Sequence, residues 1–376
     1  MAKIQANSAK TSFWATLPKP FFVLAPMANV TDFVFRSIIA KYGKPDVMWT
    51  EFVSADGLCS QGKGKLLFDL KFSEKERPIV VQLFTGHPDV MRKAAKLCAE
   101  LGFDGLDINM GCPDRAVEKQ GGGADLIRNP ENAVEIIRAA RRGWEEGGQR
   151  GKEKEQRLKN KEKRLRDKME RGGHDEGFAR AYVSVKTRIG YNAVDMDWIR
   201  LLLMQKLPAL TIHLRTRKEM SDVPAHWELM PEIVKLRNDI SPETLIIGNG
   251  DVKSLNDGLS KMKKYGNDGV MIGTGIFGTP WLFEKLGRTR VGNLDAKAKT
   301  PKERLKIMVE HSKLFEKTFC GKERIKNFAV MKKHFKAYVS GWDGAKELRV
   351  KLMEGAMNAK EVEEMVGNPK FEILST

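Results

Sequence analysis

Short apolar runs rich in Val, Ile and Phe recur along the chain, and several lead into segments where apolar residues return every three or four positions. The first pattern belongs to strands buried on both faces, the second to amphipathic helices. Eight runs predict strands: Phe22–Pro26, Asp46–Phe52, Ile79–Phe84, Gly105–Met110, Tyr182–Thr187, Ala209–His213, Thr244–Gly248 and Gly269–Gly273. Helices are expected over Pro88–Leu101, Pro130–Arg142, Met196–Gln205 and Ser254–Tyr265, with Leu97 and Leu101 sharing a face of the first. Asp32 suits the N-cap of an earlier helix, and Asn129 that of the helix opening on Pro130.

Eight strands alternating with helices are the arithmetic of a (β/α)8 barrel. A doubly wound sheet alternates in the same way, but no Gly-x-Gly-x-x-Gly follows the first strand, where a dinucleotide fold needs it. Polar punctuation follows the strands instead, at Pro26-Met27, Gly111-Cys112-Pro113, His213 and Asn249-Gly250-Asp251. In a barrel these positions meet at the C-terminal rim. The reading is therefore an α/β chain: a (β/α)8 TIM barrel followed by a small all-α helical bundle. Its parts are an N-terminal extension (1–20), the barrel (21–295, with a charged insertion at 144–177) and a basic helical domain (296–376).

The insertion holds eleven Lys/Arg and nine Asp/Glu in 34 positions, so it is expected to form a solvated helix or helical hairpin, from Lys152 to Arg171. It would project from the bottom of the barrel. The segment Pro301–Met357 carries 14 Lys/Arg against 7 Asp/Glu and predicts three or four helices. Phe328, Met331, Phe335 and Val339 trace its apolar face, while Arg324, Lys326, Lys333 and Lys336 crowd the others.

Charge sharpens this picture. Lys and Arg number 66 against 49 Asp and Glu, a net +17 that points to a polyanion partner, most often nucleic acid. Apolar residues at 41% exclude wholesale disorder, and no apolar run is long enough to span a bilayer. No compact apolar stretch resembling a secretory signal opens the chain. The four cysteines (Cys59, Cys98, Cys112, Cys320) are scattered without a Cys-x-x-Cys pair. They offer neither a metal site nor a disulfide framework, so a reducing cytoplasm and no metal are the expectation.

The candidate chemistry sits at strand ends. Gly111-Cys112-Pro113 turns the chain sharply after the fourth strand and presents Cys112 at the rim as a nucleophile or proton donor. Cys98, inside an amphipathic helix, is expected to pack. Gln82 on the third strand, Lys186 and Arg188 on the fifth, and His213 with Arg215 and Arg217 at the sixth bring polar and cationic groups to one rim. There they would favour an anionic cofactor. Glycines in Gly248-Asn249-Gly250-Asp251 and Gly273-Thr274-Gly275 follow strands seven and eight, where barrels often bind phosphate.

These blocks together resemble the flavin-dependent tRNA-dihydrouridine synthases. The likeness is carried by Leu24-Ala25-Pro26-Met27-Ala28 with Thr31-Asp32, Asn109–Pro113 with Gly121-Gly122-Gly123-Ala124, and Val185-Lys186-Thr187-Arg188-Ile189-Gly190. It continues through Thr211-Ile212-His213, Asn249-Gly250-Asp251, Asp268–Gly273 with Pro280-Trp281-Leu282-Phe283, and the helical tail at Met331–Phe335 and Gly344–Arg349. The resemblance implies an FMN enzyme that reduces particular uridines of tRNA with NADPH, hydride passing from flavin N5 to uracil C6 and Cys112 protonating C5. It implies FMN contacts from Pro26, Met27, Ala28, Gln82, Lys186, His213, Asn249, Gly250, Asp251, Gly273 and Thr274. Asn109 would line the uracil pocket, and Arg188, Arg215 and Arg217 would meet substrate or phosphate. A monomer is the expected state. Two departures stand out: Thr274 replaces the family's usual arginine, and Leu214 its usual glycine. A flavin barrel acting on a free pyrimidine, or a tRNA-binding protein with impaired catalysis, are the alternatives.

Overall fold

The computed structural model describes residues 12–162, 182–286, 292–321 and 324–367, with 149–162 described in backbone only. Eight parallel strands form one sheet: β1 (Phe21–Leu24), β2 (Met48–Ser54), β3 (Ile79–Phe84), β4 (Gly105–Met110), β5 (Val183–Arg188), β6 (Ala209–His213), β7 (Leu245–Asn249) and β8 (Gly269–Ile272). Their spatial order is β1-β8-β7-β6-β5-β4-β3-β2, and a parallel bridge from Val23 to Val47 joins its two ends. The architecture is that of a TIM barrel. All eight expected strands are present: β3, β4 and β6 have the expected bounds, and the other five have ends shifted by one or two residues. Pro26 falls outside β1, as a residue without an N–H should.

The main barrel helices are α1 (Phe33–Tyr42), α2 (Pro88–Glu100), α3 (Pro130–Glu162), α4 (Met196–Met204), α5 (Met230–Ile240) and α6 (Leu255–Tyr265). Asp32 caps α1 by accepting from the Phe35 N–H at 3.0 Å, and Asn129 accepts from Asn132 N–H at 3.2 Å. The face of α2 differs from expectation. Met91, Ala94, Ala95 and Cys98 are buried, while Leu97 lies at the margin and Leu101 is exposed. Helix α3 also departs from the reading. It runs unbroken into the charged insertion rather than stopping near Arg142, so no separate helix begins at Lys152. The remainder of that expected helix, from residue 163, lies outside the described residues. Gly143 and Gly147 allow the close approach: a methyl at Gly143 would strike the Arg92 carbonyl of α2.

Strand alternation divides the core into two layers. Phe22, Leu24, Val81, Ile108, Val185, Leu210, Ile246 and Val270 face the surrounding helices. Phe21, Val23, Trp49, Val80, Ala209, Ile247 and Met271 fill the barrel's lower interior, and Trp14, on a short helix at Phe13–Thr16, packs 5.8 Å from Trp49 to close its floor.

After β8 come α7 (Pro301–Phe319), α8 (Lys332–Tyr338), α9 (Ala345–Gly355) and α10 (Ala359–Val366). They share a hydrophobic cluster containing Phe315, Phe328, Met331, Phe335, Val339 and Leu352, continued onto Val34 and Ile38 of α1. The helical region is thus packed onto the barrel. Lys326, expected on an open basic face, is instead only 11% exposed and paired with Glu51 of β2.

Candidate active site

The inward parity that fills the barrel floor with apolar side chains carries polar ones at its upper end. Gln82, Asp107, Asn109, Ser184, Lys186, His213 and Asn249 share it on five strands. Asp107, which sequence reasoning passed over, anchors a chain of hydrogen bonds. Its carboxylate accepts from Gln82 Nε2 at 2.6 Å and from Ser184 Oγ at 2.6 Å. Gln82 Oε1 in turn accepts from Asn109 Nδ2 at 3.0 Å, and Asn109 Oδ1 accepts from the N–H groups of Gly111 (3.1 Å) and Cys112 (2.9 Å). Each amide has its orientation set by the one before it, starting from a group that can only accept when ionised. Burial nevertheless raises the Asp107 pKa to about 6. The signal available in the sequence was an acid inside a strand otherwise buried throughout.

Cys112 is half-buried, and desolvation holds its thiol above the ordinary range, so it is protonated at neutral pH. Its turn is closed by Ala124, whose N–H donates to the Cys112 carbonyl at 2.9 Å. Gly123 sits at φ +61°, where a Cβ would lie 2.7 Å from that same oxygen.

Lys186 stands beside Asn109 across the β4–β5 ladder. Among the described residues its ammonium has neither a hydrogen bond nor an ion pair. Burial first, then the neighbouring Arg188, lowers its pKa to about 8. His213 is held neutral by burial and by the nearby cations Lys186, Arg188 and Arg215. Its Nε2 lies 3.1 Å from Arg215 Nη1, which can only donate, so the ring proton belongs on Nδ1.

The three arginines are engaged by the protein itself. Arg188 is buried and donates to the carbonyls of Gly111, Thr216 and Met220, each at 2.9 Å. Arg215 donates to both oxygens of Asp251 at 2.7 Å, and Asp251 also accepts from Ala225 N–H. Arg217 pairs with Glu118 at 2.6 Å. These guanidiniums brace the rim loops around Cys112 and His213, and Asp251 has its carboxylate committed. Asn249 donates to the Met271 carbonyl at 2.9 Å, and Gly250, at φ +120°, passes His213 so closely that a Cβ would lie 3.2 Å from its ring. Leu214 is fully buried.

Across the mouth, Met27 is fixed by a reciprocal turn: its N–H donates to Thr31 Oγ1 at 2.9 Å, and its carbonyl accepts from Thr31 N–H at 3.0 Å. Met27 is half-buried and Ala28 is exposed. A Cβ at Gly273 would meet Ala25 and Met27 at 3.6 and 3.7 Å, which places the β8 end against the β1 loop. Thr274 is exposed. Among the described residues, no cluster of His, Cys, Asp or Glu could hold a metal ion, and no helix is long and apolar enough to cross a membrane.

Residues 23–146 and 179–371 match the family model described as dihydrouridine synthase, the gap falling on the charged insertion. The chain belongs to the dihydrouridine synthase family. It is therefore an oxidoreductase. Proteins of Staphylococcus epidermidis and Staphylococcus aureus, each named "Probable tRNA-dihydrouridine synthase", are 40% identical to it over 92% of both chains. A Bacillus subtilis protein, "Probable tRNA-dihydrouridine synthase 2", is 40% identical over 94% of both. Among solved structures, 6-hydroxypseudooxynicotine amine oxidase from Pseudomonas geniculata N1 aligns at TM-score 0.46 and 13% identity, over 71% of this chain and 47% of that one.

Proposed function

We propose that this member of the dihydrouridine synthase family reduces uridines of tRNA to 5,6-dihydrouridine, with FMN as resident cofactor and NADPH as reductant. The observation that carries the reading is the pairing of a protonated thiol, Cys112, with an unpartnered cation, Lys186, at the mouth of one barrel. A cation with neither hydrogen bond nor ion pair in a half-buried site fits an anionic group, and the neutral His213 and the Gln82 amide fit the hydrogen-bonding edge of a flavin. Pro26, Met27 and Ala28 would flank its ring. Asn249, Gly250, Asp251, Gly273 and Thr274 would lie toward its phosphate, with Thr274 offering a hydroxyl where a charge is usual.

FMN, when bound, supplies the hydride that adds to the uracil ring. The remaining chemistry belongs to the protein. Asn109 orients the base while holding the Cys112 N–H, and the Cys112 thiol donates its proton to uracil C5. A thiol with an ordinary pKa near 8.5 is mostly protonated at pH 7, and burial here increases that fraction. Arg188 and Arg215 hold the loops that carry these groups. The target uridine must leave its stack to enter the barrel mouth. In this reading residues 21–295 carry the flavin site, residues 296–376 bind tRNA, and the enzyme acts as a cytoplasmic monomer.

The test is an absorbance spectrum of the purified protein, followed by anaerobic NADPH and then unmodified tRNA. Flavin bands should bleach with NADPH and return on adding tRNA, with dihydrouridine formed. In Cys112→Ala, bleaching by NADPH should persist, while product formation falls by roughly 10²–10⁴-fold, the scale of a lost general acid. Turnover of free uracil without tRNA would favour a small-molecule reductase. Colourless protein that still binds tRNA would favour the impaired alternative.

A further inference from the structure

The loop that carries Pro26, Met27 and Ala28 is held from outside the barrel. Asn29, immediately after them, adopts φ +54°, a left-handed conformation that asparagine tolerates better than most residues. Its N–H donates to Glu51 Oε1, and its carbonyl accepts from Lys333 Nζ at 2.8 Å. Glu51 lies on β2 and is 5% exposed, and its second oxygen accepts from Lys326 Nζ at 2.9 Å. Lys326 also stands 3.5 Å from Asp69 and 3.8 Å from Asp32, the cap of α1. Both polar groups of the Asn29 backbone are therefore fixed by charged side chains. One lysine of the helical region acts on it directly, and the other acts through Glu51. Charge-assisted bonds of this kind are the stronger ones.

We propose that the helical region is a structural part of the flavin site, with Lys333, Lys326 and Glu51 as positioning residues for the β1–α1 loop. This rests on the flavin reading above. Lys326 is enclosed by carboxylates, so it is not available to a phosphate backbone, and Lys333 has a carbonyl partner on the barrel. The two lysines that crown the basic tail thus act inward, on the surface against which the cofactor ring would lie.

The test uses the full-length flavin-free protein, with FMN affinity read by fluorescence quenching and tRNA affinity by anisotropy. Lys333→Met and Glu51→Gln should each weaken FMN binding about tenfold, the scale of one lost charged hydrogen bond. Lys333→Arg, which keeps a donor, should restore it. Lys336→Met, on an exposed neighbour in α8, should leave FMN affinity unchanged. FMN affinity within twofold of the wild type in both Lys333→Met and Glu51→Gln overturns the proposal while leaving the flavin reading intact. A wild-type protein that binds no FMN removes the flavin reading itself. Far-UV circular dichroism confirms that each variant is folded, and Lys333→Met, which strips only a half-exposed side chain, keeps the comparison available should Glu51→Gln unfold.

Discussion

Asp107 shows how one buried carboxylate sets the chemistry of its neighbours. Burial raises its pKa to about 6, and two donors, Gln82 and Ser184, offset part of that cost. What the strand gains is a fixed sense for two amides in series, ending on the Cys112 N–H. If orientation is the function, Asp107→Asn should keep it, because the asparagine oxygen still accepts from Gln82 while its amide turns to Ser184. Asp107→Leu should not, since it leaves the buried Gln82 amide without its acceptor, at about 1–3 kcal/mol, and Ser184 with only a 3.4 Å bond to the Leu106 carbonyl. Turnover on tRNA should then stay within about tenfold for Asp107→Asn and fall by more than about a hundredfold for Asp107→Leu. Equal damage in both variants would assign the effect to charge and sink the orientation argument. Cys112 and His213 were legible in the sequence because they lie just past or at a strand end, and Lys186 because it is a cation in the second half of one. Asp107 was not, because it sits mid-strand and its role depends on β3 and β5 arriving beside it.

At the scale of elements, the β4 turn and its glycine run form one device. Gly123 needs a left-handed backbone and leaves room for the Cys112 carbonyl. Gly123→Ala should therefore destabilise the protein by about 1–3 kcal/mol and lower turnover by displacing the thiol, read by thermal melting and by rate. An unchanged melting temperature with an unchanged rate would show that the turn relaxes freely. The strands were readable because in each one apolar residues fill most positions or every second one and turn-forming residues follow, and the caps at Asp32 and Asn129 are local contacts. The short helices at Ala55–Leu58 and Lys63–Asp69 were not foreseen, since a turn or two of helix carries no periodicity to detect. The full length of α3 was missed for a different reason. The chain's composition changes at Trp144 while its backbone does not, and Gly143 and Gly147 are contact points with α2. Lys326 was misread because its partners Glu51, Asp32 and Asp69 are remote in sequence, and charge alone cannot distinguish an enclosed lysine from a solvated one.

For the whole molecule, the seam between barrel and helical region holds two buried histidines. His311 stacks 5.2 Å from Phe35 of α1, and His334 lies 4.6 Å from His311, with neither of its ring nitrogens bonded. Desolvation lowers His311 to about 3 and His334 well below its usual value. The unfolded chain therefore takes up these protons first, near pH 6.5, and stability falls as pH drops below that value, by up to about 1.4 kcal/mol per unit for each ring. Asp32 and Asp107, both raised to about 6, act in the opposite sense between about pH 6 and 4. The histidine share is thus isolated by comparing denaturant melts of the wild type and His334→Phe from pH 7 to 5. The gap between them should shift in favour of the variant as pH falls, and a constant gap would clear His334 of the effect. The closure of the sheet has a consequence of another kind. Phe21 of β1 lies opposite Gly269 of β8, so the first strand made finds that neighbour only after most of the chain has been synthesised. At roughly 5–20 residues per second, a bare Phe-Phe-Val-Leu edge waits about 12 to 50 s on the ribosome for its partner. The barrel's last seam is thus its oldest strand, and nascent chains are most exposed to mispairing just before β8 emerges.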